Sequence, residues 1–310
     1  MPLEYGIPPL DGLPESVTIC EVGPRDGLQN LPRLFSVQER AHLIAELAAA
    51  GLRQIEAVSM VNPARVPQMA DAEAVLEALP PLPAVQLSAL VLNRRGAERA
   101  LATGVRELRF AVVASDTFCR RNQNMGSDDS LAAFAAVAPM VCQAGRQLTG
   151  VIATAYGCPF EGEIAPARIA QMAEALRAAG ADRIVLADTI GVAAPRDFAR
   201  VHDACRDALD GIAWGVHLHN TRNTGYANLM TALERRAGII DASIGGLGGC
   251  PFAPRATGNI ATEDVHYLLH REGIDTGLDH DRLALLVEWL AERVPDKITG
   301  QLARAGWFGA

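Results

Sequence analysis

Two histidines separated by one residue are the clearest candidates for metal ligands in this sequence. Residues 214–220 read Trp-Gly-Val-His-Leu-His-Asn, so His217 and His219 alternate with apolar residues. Because successive side chains of a strand point to opposite faces, both imidazoles would point to the same face. Imidazole is a common ligand of divalent metals. We therefore interpret the pair as half of a metal site rather than as two histidines satisfied by the backbone.

A charged pair lies at the apex of a turn rich in glycine and proline. Residues 21–30 read Glu-Val-Gly-Pro-Arg-Asp-Gly-Leu-Gln-Asn, which places Arg25 beside Asp26. Asp26 offers a hard oxygen ligand, and the Arg25 guanidinium can donate a fork of hydrogen bonds to an oxyanion. An ordinary surface turn would explain the dipeptide alone, but it explains the whole string less well.

A glycine-rich segment leads to a cysteine near residue 250. Residues 245–251 read Gly-Gly-Leu-Gly-Gly-Cys-Pro, a composition with little intrinsic order. We predict a mobile active-site loop that carries the Cys250 thiol to a reacting carbon, and the alternative is a buried, inert cysteine. Cys158 has a single glycine beside it, and we interpret it as structural.

Alternating strands and helices are predicted to position these side chains. Short runs rich in β-branched residues predict eight strands, at residues 17–22, 54–59, 85–92, 107–114, 150–155, 183–189, 214–220 and 239–245. Segments at helical spacing predict helices at residues 37–50, 71–79, 130–144, 165–179, 195–209, 224–237, 261–272 and 281–293. Eight strand-helix repeats favour a closed (β/α)8 TIM barrel over an open, doubly wound sheet, which stays the alternative.

The barrel hypothesis places the unusual polar residues at one mouth. Side chains at the C-terminal ends of barrel strands converge there, and the candidates do follow or end predicted strands. Glu56 lies in the second strand, Asp188 ends the sixth, and Asn259 follows the eighth. We expect a single catalytic domain over residues 1–310, with a barrel core at about 14–275 and a C-terminal helical region at 276–310.

Composition argues against several classes of partner. The formal charge is −8, from 36 acidic and 28 basic residues without a block of like charge, so we expect no nucleic acid and no membrane as partner. The six cysteines are scattered and no apolar secretory segment opens the sequence, which favours a reducing, cytoplasmic location over a disulfide framework.

The sequence resembles 3-hydroxy-3-methylglutaryl-CoA lyase over nearly its whole length. The resemblance rests on residues 21–30, 66–69, 157–162, 188–192, 217–220 and 246–264, in order and with the spacing of that family. The Arg-Asp-Gly-x-Gln turn and the His-x-His pair also resemble isopropylmalate and homocitrate synthases and the carboxyltransferase domain of pyruvate carboxylase. The Gly-Gly-Leu-Gly-Gly-Cys-Pro segment is more specific to the lyase.

The resemblance implies a metal-assisted retro-Claisen cleavage of 3-hydroxy-3-methylglutaryl-CoA to acetyl-CoA and acetoacetate, in the breakdown of leucine or related acids. By resemblance, Mg2+ or Mn2+ would be bound by Asp26, His217, His219 and Asn259. Arg25 would hold the thioester oxygen as negative charge develops, and Cys250 would protonate the carbanion. Glu56, Asp188 and Glu263 resemble supporting carboxylates, and Asp26 or a bound water could first take the hydroxyl proton.

An acyl-CoA substrate needs local cations because the protein is acidic overall. Gln29 belongs to the resembling turn, and further candidates for substrate binding are Arg65, Arg120, Arg121 and Asn122. Ordinary solvated surface charge is the alternative for these basic residues. The resemblance also makes a homodimer plausible.

Three of the four residues that follow the histidine pair depart from the usual family pattern, and only the threonine is kept. The family commonly shows Asp-Thr-Tyr-Gly, whereas this sequence has Asn220, Thr221, Arg222 and Asn223. We expect Arg222 to add a cation at the mouth and therefore leave acyl preference open between the proposed substrate, citramalyl-CoA and a longer 3-alkyl homologue. A synthase that condenses acyl-CoA with a 2-oxo acid and a non-catalytic metal- or CoA-binding barrel are the other hypotheses.

Overall fold

Eight parallel strands close into a barrel in this computed structural model, which describes residues 12–249 and 257–308. The strands are β1 (Thr18–Glu21), β2 (Gln54–Ser59), β3 (Gln86–Val91), β4 (Glu107–Val113), β5 (Gln147–Ala153), β6 (Arg183–Asp188), β7 (Ala213–Leu218) and β8 (Ile239–Ala242). Each strand pairs with the next in the chain, and β8 pairs back with β1. The predicted TIM barrel is confirmed.

Helices cover the outside of the barrel. They are α1 (Val37–Ala49), α2 (Ala72–Glu77), α3 (Arg94–Leu101), α4 (Asp116–Gln123), α5 (Ser127–Gln143), α6 (Pro166–Ala178), α7 (Pro195–Leu209), α8 (Gly225–Glu234), α9 (Thr262–Arg271), α10 (His280–Ala291) and α11 (Leu302–Ala305). Among the described residues, no helix combines the length and apolar character that crossing a membrane requires.

Local sequence signals fix where α1 begins and ends. The Glu39 amide donates to Ser36 Oγ at 3.1 Å, and the Ser36 amide donates to Glu39 Oε2 at 2.9 Å, as predicted for a capping box. Gly51 follows the helix with a φ of +104°, and a Cβ there would lie 2.3 Å from the carbonyl oxygen of Gly277. Glycine is therefore required both by the backbone conformation and by the close approach of the C-terminal region.

Two short helices, α3 and α4, were not predicted. The α3 sequence contains four charged residues and a glycine in eight positions, so its apolar periodicity is weak. It begins because the Asn93 side chain accepts a hydrogen bond from the Gly96 amide at 2.9 Å, and α4 begins in the same way at Ser115 and Phe118. Strand β5 also begins three residues earlier than its predicted start at residue 150.

The C-terminal segment of the chain contacts the loop that follows β8. The Thr299 amide donates to the Gly245 carbonyl at 2.8 Å, and Thr299 Oγ1 donates to the Gly246 carbonyl at 3.1 Å. Gly245 and Gly246 both have positive φ, and a Cβ on Gly246 would lie 2.2 Å from Thr299 Oγ1. These contacts hold residues 298–300 against the C-terminal mouth of the barrel.

Candidate active site

Asp26, His217 and His219 converge at the C-terminal mouth of the barrel. One ligand atom from each lies within 4.8 Å of the others. The two Nε2 atoms are 3.3 Å apart, and His217 Nε2 is 3.8 Å from Asp26 Oδ2. A carboxylate oxygen and two imidazole nitrogens meeting in this way form a triad that fits a divalent metal.

The turn after β1 fixes the position of Asp26. The backbone amides of Arg25, Asp26 and Gly27 all donate to the Val22 carbonyl, at 3.2, 2.7 and 3.2 Å, which makes one π-helical turn over Gly23–Gly27. Burial alone would raise the pKa of Asp26, but the charges of Arg25 and the two histidines and the hydrogen bond from Asn259 lower it to about 2. Asp26 is therefore a carboxylate at neutral pH.

Asp241 on β8 orients His217. Its Oδ2 atom lies 3.2 Å from His217 Nδ1, and the two residues are direct neighbours across the β7–β8 pair. When Nδ1 donates its proton to this carboxylate, Nε2 keeps its lone pair facing Asp26 and His219. Burial and the neighbouring His217 lower the pKa of His219 to about 4, so its ring is neutral as a ligand must be.

Asn259 completes the cluster through its position after β8. It faces His219 in an antiparallel bridge, and its Nδ2 donates to Asp26 Oδ2 at 2.8 Å and to the Leu247 carbonyl at 2.9 Å. Its Oδ1 atom is buried and has no hydrogen-bond partner among the described residues. An unpaired buried amide oxygen next to the triad fits a fourth, oxygen ligand, because rotating the amide by half a turn would exchange its oxygen and nitrogen.

Glu56 holds the guanidinium of Arg25 beside the triad. Arg25 Nε and Nη2 donate to Glu56 Oε2 at 2.9 and 2.6 Å, while Nη1 donates to Asp26 Oδ1 at 2.7 Å. Glu56 is completely buried on β2, and Arg25 lines the cavity. The carboxylate thus fixes the orientation of a cation that faces the space above the triad.

Sequence reasoning missed a buried ion pair inside the barrel. Arg109 on β4 donates a short hydrogen bond to Asp241 Oδ2 and another to Cys20 Sγ at 2.9 Å, and its Nε lies 3.8 Å from Glu56 Oε1. Arg109 thereby connects the partner of His217 with the partner of Arg25. A charged residue directly between two apolar residues of a strand was the signal available in the sequence for both Arg109 and Asp241.

Asp188 and Glu263, which the family resemblance gives as supporting carboxylates, accept hydrogen bonds from backbone amides of loops. Asp188 accepts hydrogen bonds from Val192 and Ala193, both at 3.0 Å, and does not line the cavity. Glu263 accepts one from Gly245 at 3.0 Å. The structure therefore places both carboxylates behind the mouth, as supports of the loops after β6 and β8.

A cavity of about 1250 Å3 opens above the triad. Its lining includes four of the five predicted substrate-binding residues, namely Gln29, Arg65, Arg121 and Asn122. Arg120 does not line it and instead pairs with Asp116 at 3.0 Å on the exposed side of α4. The helix geometry explains the difference, because neighbouring residues of a helix point in different directions.

Of the two cysteines that follow glycine in the predicted loops, the structure describes Cys158 but not Cys250. Cys158 is buried, and its Sγ lies 2.9 Å from Ser115 Oγ, which agrees with a structural role. Cys250 lies outside the described residues. The chain approaches it through Gly248 and Gly249, which line the cavity.

Comparison with known families decides which TIM barrel this is. The HMGL-like family model matches residues 16–289. This chain belongs to the HMGL-like family. It is 42% identical over 270 residues to hydroxymethylglutaryl-CoA lyase of Pseudomonas mevalonii, which covers 87% of this chain and 90% of that protein. It is 40% identical to (R)-citramalyl-CoA lyase of Chloroflexus aurantiacus, over 94% of this chain and 95% of that protein.

A solved structure of the HMGL-like family has the same fold. The HMG-CoA lyase of Acenitobacter baumannii, in complex with coenzyme A and 3-methylmalate, has a TM-score of 0.90 and 36% identity, over 95% of this chain and 96% of that one. Together with the triad, this family membership makes the protein a lyase.

Two of the residues that depart from the family pattern after the histidine pair form hydrogen bonds within the loops. Asn220 Oδ1 accepts a hydrogen bond from the Gly225 amide at 3.1 Å. Arg222 Nη1 donates to the carbonyls of Ile190 and Gly191 at 3.1 and 2.8 Å, and neither Asn220 nor Arg222 lines the cavity. Arg222 therefore joins the loops after β6 and β7 and does not line the cavity.

Proposed function

We propose that the protein cleaves 3-hydroxy-3-methylglutaryl-CoA to acetyl-CoA and acetoacetate. The observation that carries this proposal is the convergence of Asp26, His217 and His219 beside the Arg25 guanidinium, at the buried end of the cavity. The lyase relatives and the family membership support it. Arg25 supplies what the chemistry needs beyond a metal, namely a fixed donor at the place where negative charge develops.

The reaction breaks the bond between C2 and C3 of the acyl group. Loss of the C3 hydroxyl proton turns that carbon into a ketone, and the electron pair of the broken bond passes to C2 of the thioester fragment. The enolate of acetyl-CoA formed in this way then takes a proton at C2. We propose that Asp26, His217, His219 and Asn259 hold Mg2+ or Mn2+, which polarises oxygen atoms and eases loss of the hydroxyl proton when bound.

Residues of the chain stabilise the charge that moves to the thioester. Arg25 is held by Glu56 Oε2 and Asp26 Oδ1, so its guanidinium is oriented before substrate arrives. A pre-oriented donor spends no reorganisation energy as charge develops. We propose that the Cys250 thiol delivers the proton to C2, which is the role that the lyase resemblance gives to the glycine-rich segment.

Citramalyl-CoA is the second candidate substrate. It differs in lacking one methylene between the carbinol carbon and the free carboxylate, and the Chloroflexus relative that acts on it is 40% identical. One methylene in a pocket changes binding by only about 1–3 kcal/mol. The products separate the two candidates, because citramalyl-CoA gives pyruvate where the other thioester gives acetoacetate.

Product analysis tests the function. The purified protein is incubated with each thioester in the presence of Mg2+ or Mn2+, and acetyl-CoA, acetoacetate and pyruvate are quantified by mass spectrometry. We expect acetoacetate as the main product of the preferred substrate. Absence of cleavage of either thioester with both metals would rule the proposal out, and thiol release with 2-oxo acids would point to a synthase.

A pair of cysteine variants tests the proton donor. Cys250→Ala is expected to lower turnover by about 100-fold or more, within the usual range for general acid catalysis, while Mn2+ binding stays intact. Cys142→Ala is the matched control, because Cys142 is an exposed free thiol on α5. Full activity of the Cys250→Ala variant would refute the role of that thiol.

The location, pathway and oligomeric state of the enzyme belong to the same proposal. We infer a cytoplasmic lyase of leucine or related acid breakdown that acts as a homodimer on an acyl-CoA and binds neither nucleic acid nor membrane. The acidic charge of −8 supports the last point. Light scattering of the purified protein checks the dimer.

A further inference from the structure

A tryptophan turns inward at the end of a segment that is otherwise on the surface. Residues 298–308, which we call the C-terminal strap, follow the short turn after α10, and within residues 301–308 only Leu302 and Trp307 are partly buried. The next residue, Phe308, is 66% exposed. The indole is therefore the one large ring with which the far end of the strap contacts the rest of the protein in residues 301–308.

Four rings from two helices enclose the indole of Trp307. On α9, the ring centroids of His266, Tyr267 and His270 lie 5.3, 5.1 and 5.2 Å from it. His280, the first residue of α10, lies nearest, at 4.5 Å. Burial and the nearby His270 and His280 lower the pKa of His266 to about 4, so its ring is neutral at neutral pH. Packing of rings thus fastens the end of the strap to α9 and α10.

The other end of the strap lies on the loop after β8, residues 243–249, which we call the β8 loop. The amides of Thr299 and Gly300 donate to the Gly245 carbonyl at 2.8 and 3.3 Å, and Thr299 Oγ1 donates to the Gly246 carbonyl at 3.1 Å. A Cβ on Gly245 would lie 2.9 Å from the Ile298 side chain, so the two backbones approach each other closely. The strap therefore covers the turn Ile244–Gly246 directly.

Asp264 on α9 holds the middle of the strap. Its Oδ1 atom accepts a hydrogen bond from the Leu302 amide at 2.7 Å, and its Oδ2 atom accepts from the Gln301 amide at 2.8 Å. Oδ2 also accepts from the Tyr226 hydroxyl at 3.0 Å. The strap is thus fixed to α9 at two points, the Asp264 carboxylate and the rings around Trp307, and both points follow its contact with the β8 loop.

The β8 loop in turn contacts a candidate metal ligand. The Leu247 carbonyl accepts a hydrogen bond from Asn259 Nδ2 at 2.9 Å, and the same nitrogen donates to Asp26 Oδ2 at 2.8 Å. A Cβ on Gly248 would lie 2.4 Å from Asn259 Nδ2, so the amide packs directly against the loop backbone. A shift of the β8 loop therefore changes how the Asn259 amide is oriented beside the triad.

We propose that Trp307 is a positioning residue of the metal site, because it fastens the strap that supports the β8 loop beside Asn259. The proposal rests on the metal site of the proposed function. The contacts run from the indole along the strap to Thr299, Gly245, Leu247 and Asn259. Groups outside the ligand set that orient a ligand typically change metal affinity by about 10–100-fold when they are lost.

Mn2+ binding tests this role without any turnover. Electron paramagnetic resonance of free Mn2+ gives the affinity of the wild type, Trp307→Ala, Trp307→Phe and Phe308→Ala, the last being the matched control because it removes the neighbouring exposed ring. We expect about tenfold weaker binding in Trp307→Ala, most of it recovered in Trp307→Phe, and wild-type affinity in the control. Equal affinity in Trp307→Ala and the wild type, or equal losses in Trp307→Ala and Phe308→Ala, would overturn the proposal.

A double-mutant cycle tests whether the effect passes through the strap. Thr299→Val removes the hydrogen bond from Thr299 Oγ1 to the Gly246 carbonyl at the other end of the strap and keeps the shape of the side chain. If Trp307 acts through the strap, the Mn2+ affinity of Trp307→Ala with Thr299→Val should fall by less than the product of the two single losses. Losses that multiply fully would show that Trp307 acts by another route, and would refute the proposed connection.

Hydrogen exchange reads the loop itself in the metal-free protein. Peptides that contain residues 244–247 should exchange faster in Trp307→Ala than in Phe308→Ala, because the strap no longer holds the turn. Unchanged exchange would overturn the supporting role of the strap.

The outcomes for the lyase differ from those for Trp307. A wild-type protein that binds Mn2+ but cleaves neither candidate thioester would refute the proposed reaction, while weaker Mn2+ binding in Trp307→Ala would still support the positioning role. A wild-type lyase whose Mn2+ affinity and loop exchange are unchanged by Trp307→Ala would overturn the positioning role alone. A rise of the thioester KM at unchanged Mn2+ affinity would assign the strap to substrate binding and equally overturn it.

Discussion

The carboxylate of Asp241 serves two partners at once. Its Oδ2 atom lies 3.2 Å from His217 Nδ1 and also accepts a short hydrogen bond from Arg109. The first contact fixes which nitrogen of His217 is free for a metal, and the second keeps the buried carboxylate charged, since burial alone would raise its pKa and Arg109 lowers it. One residue outside the triad therefore controls a member of the triad.

Replacing Asp241 by asparagine should weaken metal binding. The Asp241→Asn side chain would keep the shape but remove the charge that polarises His217, and loss of such a partner typically lowers metal affinity by about 10–100-fold. Electron paramagnetic resonance of free Mn2+ during titration gives the affinity. Asp207→Asn is the control, because Asp207 is exposed on α7. Equal Mn2+ affinity in the Asp241→Asn variant and the wild type would contradict the prediction.

The sequence predicts part of this site for a simple geometric reason. The spacing of His217 and His219 determines that they share a strand face, so their convergence follows from local structure. The partners Arg109 and Asp241 lie 132 residues apart, on strands that meet only across the closed barrel. Strand periodicity cannot pair them, which is why they were missed.

At the scale of elements, the turn after β1 depends on a close approach that only glycine allows. A Cβ on Gly23 would lie 2.5 Å from Glu21 Oε1. That carboxylate cannot move aside, because it accepts hydrogen bonds from the Gly23 and Ile244 amides and from Thr262 Oγ1 at 2.7, 3.0 and 2.6 Å. Any side chain at residue 23 must displace the turn itself.

Gly23→Ala should therefore damage turnover more than stability. The displaced turn carries Arg25 and Asp26, and a misplacement of about 1 Å can cost roughly 100-fold in rate. Steric strain should lower the free energy of unfolding by about 1–3 kcal/mol. Gly104→Ala is the matched control, since no atom lies within 4 Å of a Cβ there. Steady-state kinetics measure the turnover, and urea unfolding measures the free energy of unfolding. A fully active Gly23→Ala enzyme would show that the turn tolerates a side chain at residue 23.

The contact between α9 and the β8 loop should make stability depend on pH. Burial raises the pKa of Glu263 from 4.5 to about 8. Between these values the folded state holds a proton that the unfolded state has lost, so the free energy of unfolding falls as pH rises from about 4.5 to about 8. Burial likewise raises the pKa of Glu21, to about 7, and adds a slope of the same sign.

Glu263→Gln should flatten this dependence. Glutamine can still accept the hydrogen bond from the Gly245 amide but carries no titrating proton, so the variant should gain stability relative to the wild type as pH rises. Urea unfolding at several pH values between 5 and 8 measures the slope, at about 1.4 kcal/mol per unit of pH for a full proton. Exposed Glu98→Gln is the control. Parallel curves for Glu263→Gln and the wild type would show that Glu263 does not titrate in this range.

Element boundaries show the limit of reasoning from periodicity. The helix α1 was predicted well because its capping box and terminal glycine are local signals. Helices α3 and α4 are only eight residues long each and depend on a single side-chain cap, so their apolar pattern is too short to detect. The order of the strands in the barrel was still predictable, because eight strand segments alternating with the longer helices are enough to indicate the fold.

At the scale of the whole molecule, Arg109 reaches from β4 across the barrel interior to three neighbouring strands on the opposite side. From β4 it contacts Cys20 on β1, Glu56 on β2 and Asp241 on β8. These strands are brought together only when the barrel closes. The closed barrel therefore depends on the buried guanidinium. Without it, the carboxylates that Arg109 contacts would be buried without the positive charge that offsets their desolvation.

Arg109→Met should accordingly destabilise the entire barrel. Removing one partner of a buried ion pair typically costs about 3–5 kcal/mol, because the remaining charge stays buried. Adding Asp241→Asn to Arg109→Met should recover part of the loss, since the carboxylate left without its cation is then replaced by a neutral amide. Arg95→Met, an exposed position on α3, is the control. Calorimetry and urea unfolding measure the effect, and an Arg109→Met protein with the wild-type unfolding midpoint would show that barrel closure does not depend on this ion pair.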